Sequence, residues 1–204
     1  MPFLADYHRE SKRQQQRGRC LHYYDGARCN EIILAHSIQK KGQLSLIAED
    51  RHVYRFSADL STLQKTGGIP QMKRVGLNKA TTFAGFCKHH DNSLFEAIDN
   101  YPFEPNKRQA ALYSYRCICR EYFVKENAVQ VLERMRQHSE LNAERKSFLR
   151  SSHIGHSLGL AGLTHHKSLY EEAFQIVDYD QFEFTCFTSS SPCVISSTQQ
   201  VLCA

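Results

Sequence analysis

The stretch Ala80-Thr81-Thr82-Phe83-Ala84-Gly85-Phe86-Cys87-Lys88-His89-His90-Asp91-Asn92-Ser93-Leu94-Phe95-Glu96-Ala97-Ile98-Asp99 decides how the chain is read. It sets Cys87 and His90 three positions apart, directly before a short amphipathic run of Leu94, Phe95 and Ile98. Asp91 or Asn92 is placed to cap that run as a helix, because either side chain accepts bonds from free backbone N–H groups. A Cys-x2-His pair at a helix N-terminus makes one half of a tetrahedral metal site. The helix end also favours a deprotonated Cys87, since its unpaired N–H groups carry partial positive charge.

The other half lies upstream, where residues 20–36 carry Cys20, His22, Cys29 and His36. The interval Cys20-x8-Cys29 is looser than the spacing of about two to four residues in a zinc knuckle. Tyr24-Asp25-Gly26 is a turn signal, however, and a loop there brings the two sulfurs together. Cys20, Cys29, Cys87 and His90 are therefore the expected ligands of one zinc ion tying residues 20–99 into a unit. Thiolates from a knuckle joined by ligands at a helix start describe a treble clef. Alternatives stay open: His89 in place of His90, and His22 or His36 in place of Cys29. The competing reading of Cys29 and Cys87 is a pair of buried thiols, since free Cys behaves as a small hydrophobe. Cys117, Cys119 and Cys186 read that way, and Cys117 and Cys119 cannot share one helix face. His153 and His156, three apart, form a weaker second pair, and His165-His166 reads as a polar turn.

At 204 residues the chain can bury one core of good size or two small ones. Its mean hydropathy is negative, and no apolar run approaches the about 18 residues that span a bilayer. The polar, charged N-terminus lacks a signal-peptide core, so a cytoplasmic location and no membrane partner are expected. Eight cysteines in that setting read as metal ligands or buried thiols rather than a disulfide framework. The formal charge is +5, and residues 107–150 hold ten Lys/Arg against five Glu. Such a segment suits a polyanion, and equally a solvated helix face with i, i+4 pairs.

Along the chain, residues 1–19 read as a basic, weakly structured lead-in, either a short helix or a disordered arm. Residues 31–35 read as a short strand or helix start, 44–47 as a helical turn and 52–56 as a strand. Residues 58–79 read as loop, broken by Gly67-Gly68-Ile69-Pro70. Asn106 is placed to cap a long helix with Leu112, Tyr115, Ile118 or Cys119, Tyr122, Val129, Leu132 and Met135 on its inner stripe. A second helix is expected over about 139–160, with Leu141, Phe148, Ile154 and Leu158 inward and Gly155, Gly159 and Gly162 weakening its end. One or two further helical turns follow near Leu169–Phe174. Phe182–Phe187 and Cys193–Ser196 read as two strands around the turn Ser189–Pro192. The expected fold is α+β, with a treble-clef zinc domain over 20–103. A mainly helical segment follows over 104–175. A short β-hairpin closes the chain over 176–204, as part of an incomplete domain or paired with earlier strands.

The order Cys20…Cys29…Ala35-His36-Ser37-Ile38-Gln39…Phe86-Cys87-Lys88-His89-His90-Asp91-Asn92-Ser93-Leu94-Phe95…Ile98-Asp99 resembles a group of uncharacterised bacterial proteins. These carry a zinc-binding treble-clef domain similar in layout to the HNH endonucleases. The resemblance covers roughly residues 20–125, including Tyr115-Arg116 and Lys125. In HNH nucleases a strand-borne His is the general base, while an acidic residue or His beside it and a later His on the helix hold a divalent metal. The resemblance implies His36 as that base and Asp91 as a ligand for Mg²⁺ or Mn²⁺. Ala35 stands where the neighbouring metal ligand would be, and Asn78 is the nearest candidate for the family's middle Asn. It thus implies a zinc-binding, nucleic-acid-associated module with a degenerate HNH-like site and DNA or RNA as partner. Two other readings follow: an active metal-dependent endonuclease using His36 and Asp91, or a zinc-stabilised structural piece whose Cys-rich C-terminal region meets a protein partner.

Overall fold

A computed structural model describes residues 2–22, 29, 31–187 and 190. In chain order the elements are α1 (Phe3–Gln16), β1 (Ile32–His36), a π-helical turn (Lys40–Leu44), β2 (His52–Ser57) and α2 (Leu60–Lys65). There follow β3 (Gln71–Gly76), β4 (Thr82–Cys87), α3 (Lys88–Leu94), α4 (Glu96–Asp99), α5 (Lys107–Met135) and α6 (Ala143–Ile176). Helices are thus mixed with two small sheets, β1–β4 and β2–β3. The chain divides into two compact units, residues 2–35 with 83–186, and residues 36–82. The linear reading set its boundaries at 19, 103 and 175; in this division the long helices α1, α5 and α6 share a unit with most of β1 and β4, and residues 36–82, with α2, stand as a unit of their own.

The first unit is built on α5. Asn106 caps it, its side chain accepting from the Gln109 N–H at 2.9 Å. Leu112, Tyr115, Cys119 and Phe123 then recur at helical spacing and are all buried. They meet Phe83 and Phe86 from β4 and Phe95 from the turn after α3. Phe86 lies edge-on to Phe95 at 5.1 Å and Phe83 edge-on to Phe123 at 5.6 Å, the geometry the ring quadrupole favours. All of β4 from Phe83 to Cys87 is buried. A Cβ at Gly85 would collide with the Phe83 ring, so the strand requires glycine there.

The lead-in takes the helical alternative. Phe3 of α1 packs against Leu132, Leu141 and Leu149. The Phe3 N–H donates to Glu140 at 2.7 Å, and His138 Nε2 lies 3.2 Å from Asp6. The second long helix, α6, is longer than expected and passes through Gly155 and Gly159 unbroken. Packing rather than propensity holds a helix of this length. Its buried residues are Leu149, Leu163, Lys167 and Ala173, whereas Phe148, Ile154 and Leu158, expected to face inward, are exposed. Apolar side chains lie on more than one side of this helix, so at about 100° per residue the sequence left its phase ambiguous.

The hairpin is not at the C-terminus. Residues 182–187 form no strand, and Phe182 instead stacks on Tyr170 of α6 at 4.4 Å with the rings 9° apart. The expected partner strand Cys193–Ser196 and, apart from Ser190, its turn lie outside the described residues. The long antiparallel pair is β2–β3, within the segment read as strand and loop.

In the second unit, Val53 pairs with Val75, and the buried Leu44, Val53 and Ala80 form a small core. Asp59 caps α2. Its carboxylate accepts from Ser57 Oγ at 2.6 Å, Thr62 N at 3.0 Å, Thr62 Oγ1 at 2.7 Å and Lys73 Nζ at 3.1 Å. The Ser57 hydroxyl first, then the Thr62 groups and Lys73, hold this carboxyl far below the usual carboxylate range. The folded pKa thus lies below the unfolded value of about 3.9. The stabilisation is full above that value and is lost as pH falls toward the folded one. Asp59→Asn is expected to lower the urea midpoint of this unit at neutral pH, with the gap to wild type closing in acid. A gap that stays constant from neutral to strongly acidic pH would remove the carboxylate from the account.

Candidate metal centre

Main-chain pairing assembles the site. The segment around Cys20 runs beside β4, with Arg19 N donating to Ala84 O at 3.0 Å and Leu21 N to Gly85 O at 2.8 Å. Arg19 pins it: the buried guanidinium pairs with Glu126 and lies 4.2 Å over the Phe123 ring. On the other side β1 pairs with β4, and Lys88 N donates to Glu31 O at 3.2 Å. Cys87 ends β4 and is itself the N-cap of α3, its Sγ accepting from the His90 N–H at 3.4 Å. The helix therefore starts before Asp91 and Asn92, the caps expected from sequence. Sulfur is not a usual capping atom, so composition alone gave no sign of it.

The four expected ligands come together. One donor atom from each of Cys20, Cys29, Cys87 and His90 lies within 4.8 Å of the others, and the group could hold a metal ion. His90 Nδ1 is 3.3 Å from Cys20 Sγ and 3.2 Å from Cys29 Sγ. In a tetrahedron with metal–sulfur bonds of about 2.3 Å and a metal–nitrogen bond of about 2.0 Å, the edges run about 3.5–3.8 Å. Cys20, Cys87 and His90 are buried, and Cys29 is half-buried. Burial pushes the Cys20 thiol up to about 12, with the Cys87 sulfur adding to it, and burial likewise raises Cys29. His90 is lowered by burial and then by the neighbouring His89. Burial thus disfavours the thiolate forms of Cys20 and Cys29, and a divalent cation is the kind of group that reverses this.

The alternative ligands stand aside. His89 is exposed, and its ring is beside that of His90 at 5.1 Å. His22 sits edge-on to His90 at 4.8 Å, with Nδ1 3.0 Å from the Tyr115 hydroxyl. That hydroxyl donates to Glu171 at 2.8 Å, so His22 Nδ1 must carry the proton it shares with Tyr115. Lys167, buried on α6, completes the chain by bonding Glu171 at 2.5 Å. Burial, then His90, lowers His22 to about 4. His22 is thus a support behind the ligand group rather than a member of it. Sequence reading did not find this His22–Tyr115–Glu171–Lys167 chain, which joins residues far apart in sequence.

Asp91 lies beside a cation already. Arg116 on α5 is buried and binds Asp99 through two bonds of 2.8 and 2.5 Å, with its guanidinium 4.0 Å over the Phe95 ring. Asp91 is 4.0 Å from the same guanidinium. Burial raises the Asp91 carboxyl, and Arg116 acts against that. A divalent ion at Asp91 would compete with this guanidinium. His36 ends β1 in the second unit, its Nδ1 3.5 Å from the Thr81 hydroxyl, and Asn78 is exposed in the turn before β4. His153 is turned toward Glu133 at 3.2 Å. Among the described residues, no second group of three metal donors forms around His153 and His156. Arg116 was legible in principle: it falls between Leu112 and Cys119 on the apolar stripe, where a charge demands a partner.

Among the described residues no helix is long and apolar enough to cross a membrane. Compared with known protein families, curated proteins and solved structures, the chain matches none.

Proposed function

We propose that the chain is a zinc-binding, nucleic-acid-associated module whose Cys20–Cys29–Cys87–His90 centre is structural and takes the form of a treble clef. The convergence of three sulfurs and one imidazole nitrogen within 4.8 Å carries this reading. Three thiolates and an imidazole suit zinc over harder ions, and four protein ligands leave no open position for substrate. The HNH-like site is read as degenerate. Ala35 supplies no ligand beside His36, and Asp91 lies against the Arg116 guanidinium. Nucleic-acid association is supported by the positive formal charge and by the resemblance of residues 20–125 to HNH-type domains. DNA or RNA is the partner class; no cleavage is assigned.

Elemental analysis of the purified chain is expected to return one zinc per molecule, with X-ray absorption giving three sulfurs and one nitrogen around it. The zinc-loaded chain is expected to bind mixed-sequence oligonucleotides with an affinity that falls steeply as salt rises from about 50 to 200 mM, without nicking plasmid in Mg²⁺ or Mn²⁺. Absence of zinc would end the structural reading. Metal-dependent nicking abolished by His36→Ala would replace the module with an enzyme.

A further inference from the structure

We infer that the groove between the end of α5 and the start of α6 is a binding site for a phosphate group, held by Arg136, Lys146 and Arg150. The site needs nothing from the nucleic-acid reading above, since a free phosphate would fill it as well as one in a strand.

The groove is a cavity of about 320 Å³ lined by Arg136, Gln137, Ala143, Lys146, Ser147 and Arg150. That volume is at the small end of ligand-sized clefts. Residues 143, 146, 147 and 150 follow the i, i+3, i+4, i+7 pattern, so they share one face of α6 over its first two turns. Arg136 caps the end of α5, and Gln137 follows it. The backing is apolar: Leu149 of α6 packs with Leu132 of α5, Leu141 and Phe3.

Every charged side chain in the lining is a cation. The carboxylates nearby are engaged or off the face. Glu140 accepts the Phe3 N–H at 2.7 Å. Glu133 accepts from Arg136 Nη2 at 2.6 Å and faces His153 at 3.2 Å. Glu144 lies about 100° round the helix from Ala143. Among the described residues Lys146 and Arg150 form no ion pair, and the bond to Glu133 is the only one made by the five N–H donors of Arg136. By contrast Lys107, Arg116 and Arg134 are matched by Asp180, Asp99 and Glu10. Lys146 and Arg150 are also like charges at i, i+4, an arrangement that destabilises a helix. The positive end of α6 and the negative end of α5 meet here and oppose each other, so the side chains decide the sign of the groove.

Charge matching selects the ligand. With Arg136 shared with Glu133, two positive charges remain, those of Lys146 and Arg150. A carboxylate would match one of them. A phosphate carries about 1.5–2 negative charges and three strong acceptor oxygens, and matches both. Guanidinium forks and the lysine point charge are its usual partners. The Ser147 hydroxyl and the Gln137 amide add uncharged donors to the same lining.

The test titrates inorganic phosphate into the purified chain at low salt, with chloride at matched ionic strength as control, and follows amide NMR shifts. Saturable shifts are expected at Lys146, Ser147 and Arg150, and none with chloride. Lys146→Gln and Arg150→Gln, both at exposed positions, are each expected to weaken binding about 5-fold. The double variant is expected to lose saturation with circular dichroism unchanged. Shifts that never saturate, or that persist in the double variant, would overturn the site. So would a glutamate-rich peptide that binds the same residues and is not displaced by phosphate. Oligonucleotides separate the two sources of the same chemistry. Phosphate that competes with an oligonucleotide, both losing affinity in the double variant, places a strand's phosphate in the groove. Phosphate binding with oligonucleotide affinity unchanged in the double variant places a free phosphate there; either result supports the site. If oligonucleotides bind both proteins alike and phosphate binds neither, the site is wrong and the nucleic-acid reading stands. If phosphate binds and oligonucleotides do not, the site stands and that reading falls.

Discussion

Cys87→Ser is expected to abolish zinc binding and to unfold the unit formed by residues 2–35 and 83–186. Serine is a good N-cap, so the start of α3 keeps its acceptor for the His90 N–H while the thiolate is lost. The substitution thus separates metal from cap. Structural zinc contributes on the order of 10–16 kcal/mol in small zinc-organised peptides. A domain's total stability is about 5–15 kcal/mol. Even if the aromatic core between α5 and β4 retains part of the load, the remainder is too small to hold a cooperative fold. Far-UV circular dichroism and urea melts of wild type, Cys87→Ser and chelator-treated protein should show the last two losing the main transition together. Cys119→Ala, at another buried thiol of the same core, should keep its zinc. If chelation removes zinc and the melt does not move, the ion is an occupant and not an organiser.

Asp99→Ala is expected to cost about 3–5 kcal/mol, the range for removing one partner of a buried ion pair. The reason is asymmetric exposure. The Arg116 side chain is 1% exposed and that of Asp99 is 35%. Truncating Asp99 strands a buried guanidinium, with Asp91 as its nearest remaining carboxylate. Arg116→Met removes the buried charge itself and fills the same space against Phe95, while Asp99 can rehydrate. It should therefore cost clearly less than Asp99→Ala. Denaturant midpoints of the two variants give the order directly, and the reverse order would show that the arginine's own contacts matter more than its neutralisation.

The grouping of Cys20, Cys29, Cys87 and His90, which could hold a metal ion, was legible because its chemistry is local: sulfur and imidazole at a strand end, with a second pair upstream. The Asn106 cap and much of the stripe from Leu112 to Met135 were legible for the same reason, each being decided within a turn or two of helix, although Phe123 and Val131 are buried while Tyr122 and Val129, expected inward, are half-buried. What failed depended on distant partners. Phe182 alternates like a strand residue but is satisfied by the ring of Tyr170. The face of α6 is set by what it packs on, and its own sequence offered more than one apolar side. α2 is short and held by Asp59 with Lys73 from β3, so nothing within residues 60–65 announced it. The division at residues 36 and 82 does carry a mark in composition, eight Lys/Arg against three Asp/Glu over residues 36–82, but Cys20 and Cys29 on one side of it and Cys87 and His90 on the other invite reading as one continuous domain.

Chain connectivity gives that division a consequence. The polypeptide leaves the first unit at the end of β1 and re-enters it at the start of β4, and those strands pair with each other. Just beyond them, Ser37 N donates to Thr81 O at 3.0 Å. Exit and entrance therefore share one doorway, and closing it needs no long connection. Residues 38–80 have the topology of a removable cassette: a tight turn could replace them, or a different insert could occupy the same berth, without Cys20, Cys29, Cys87 or His90 changing its neighbours in sequence.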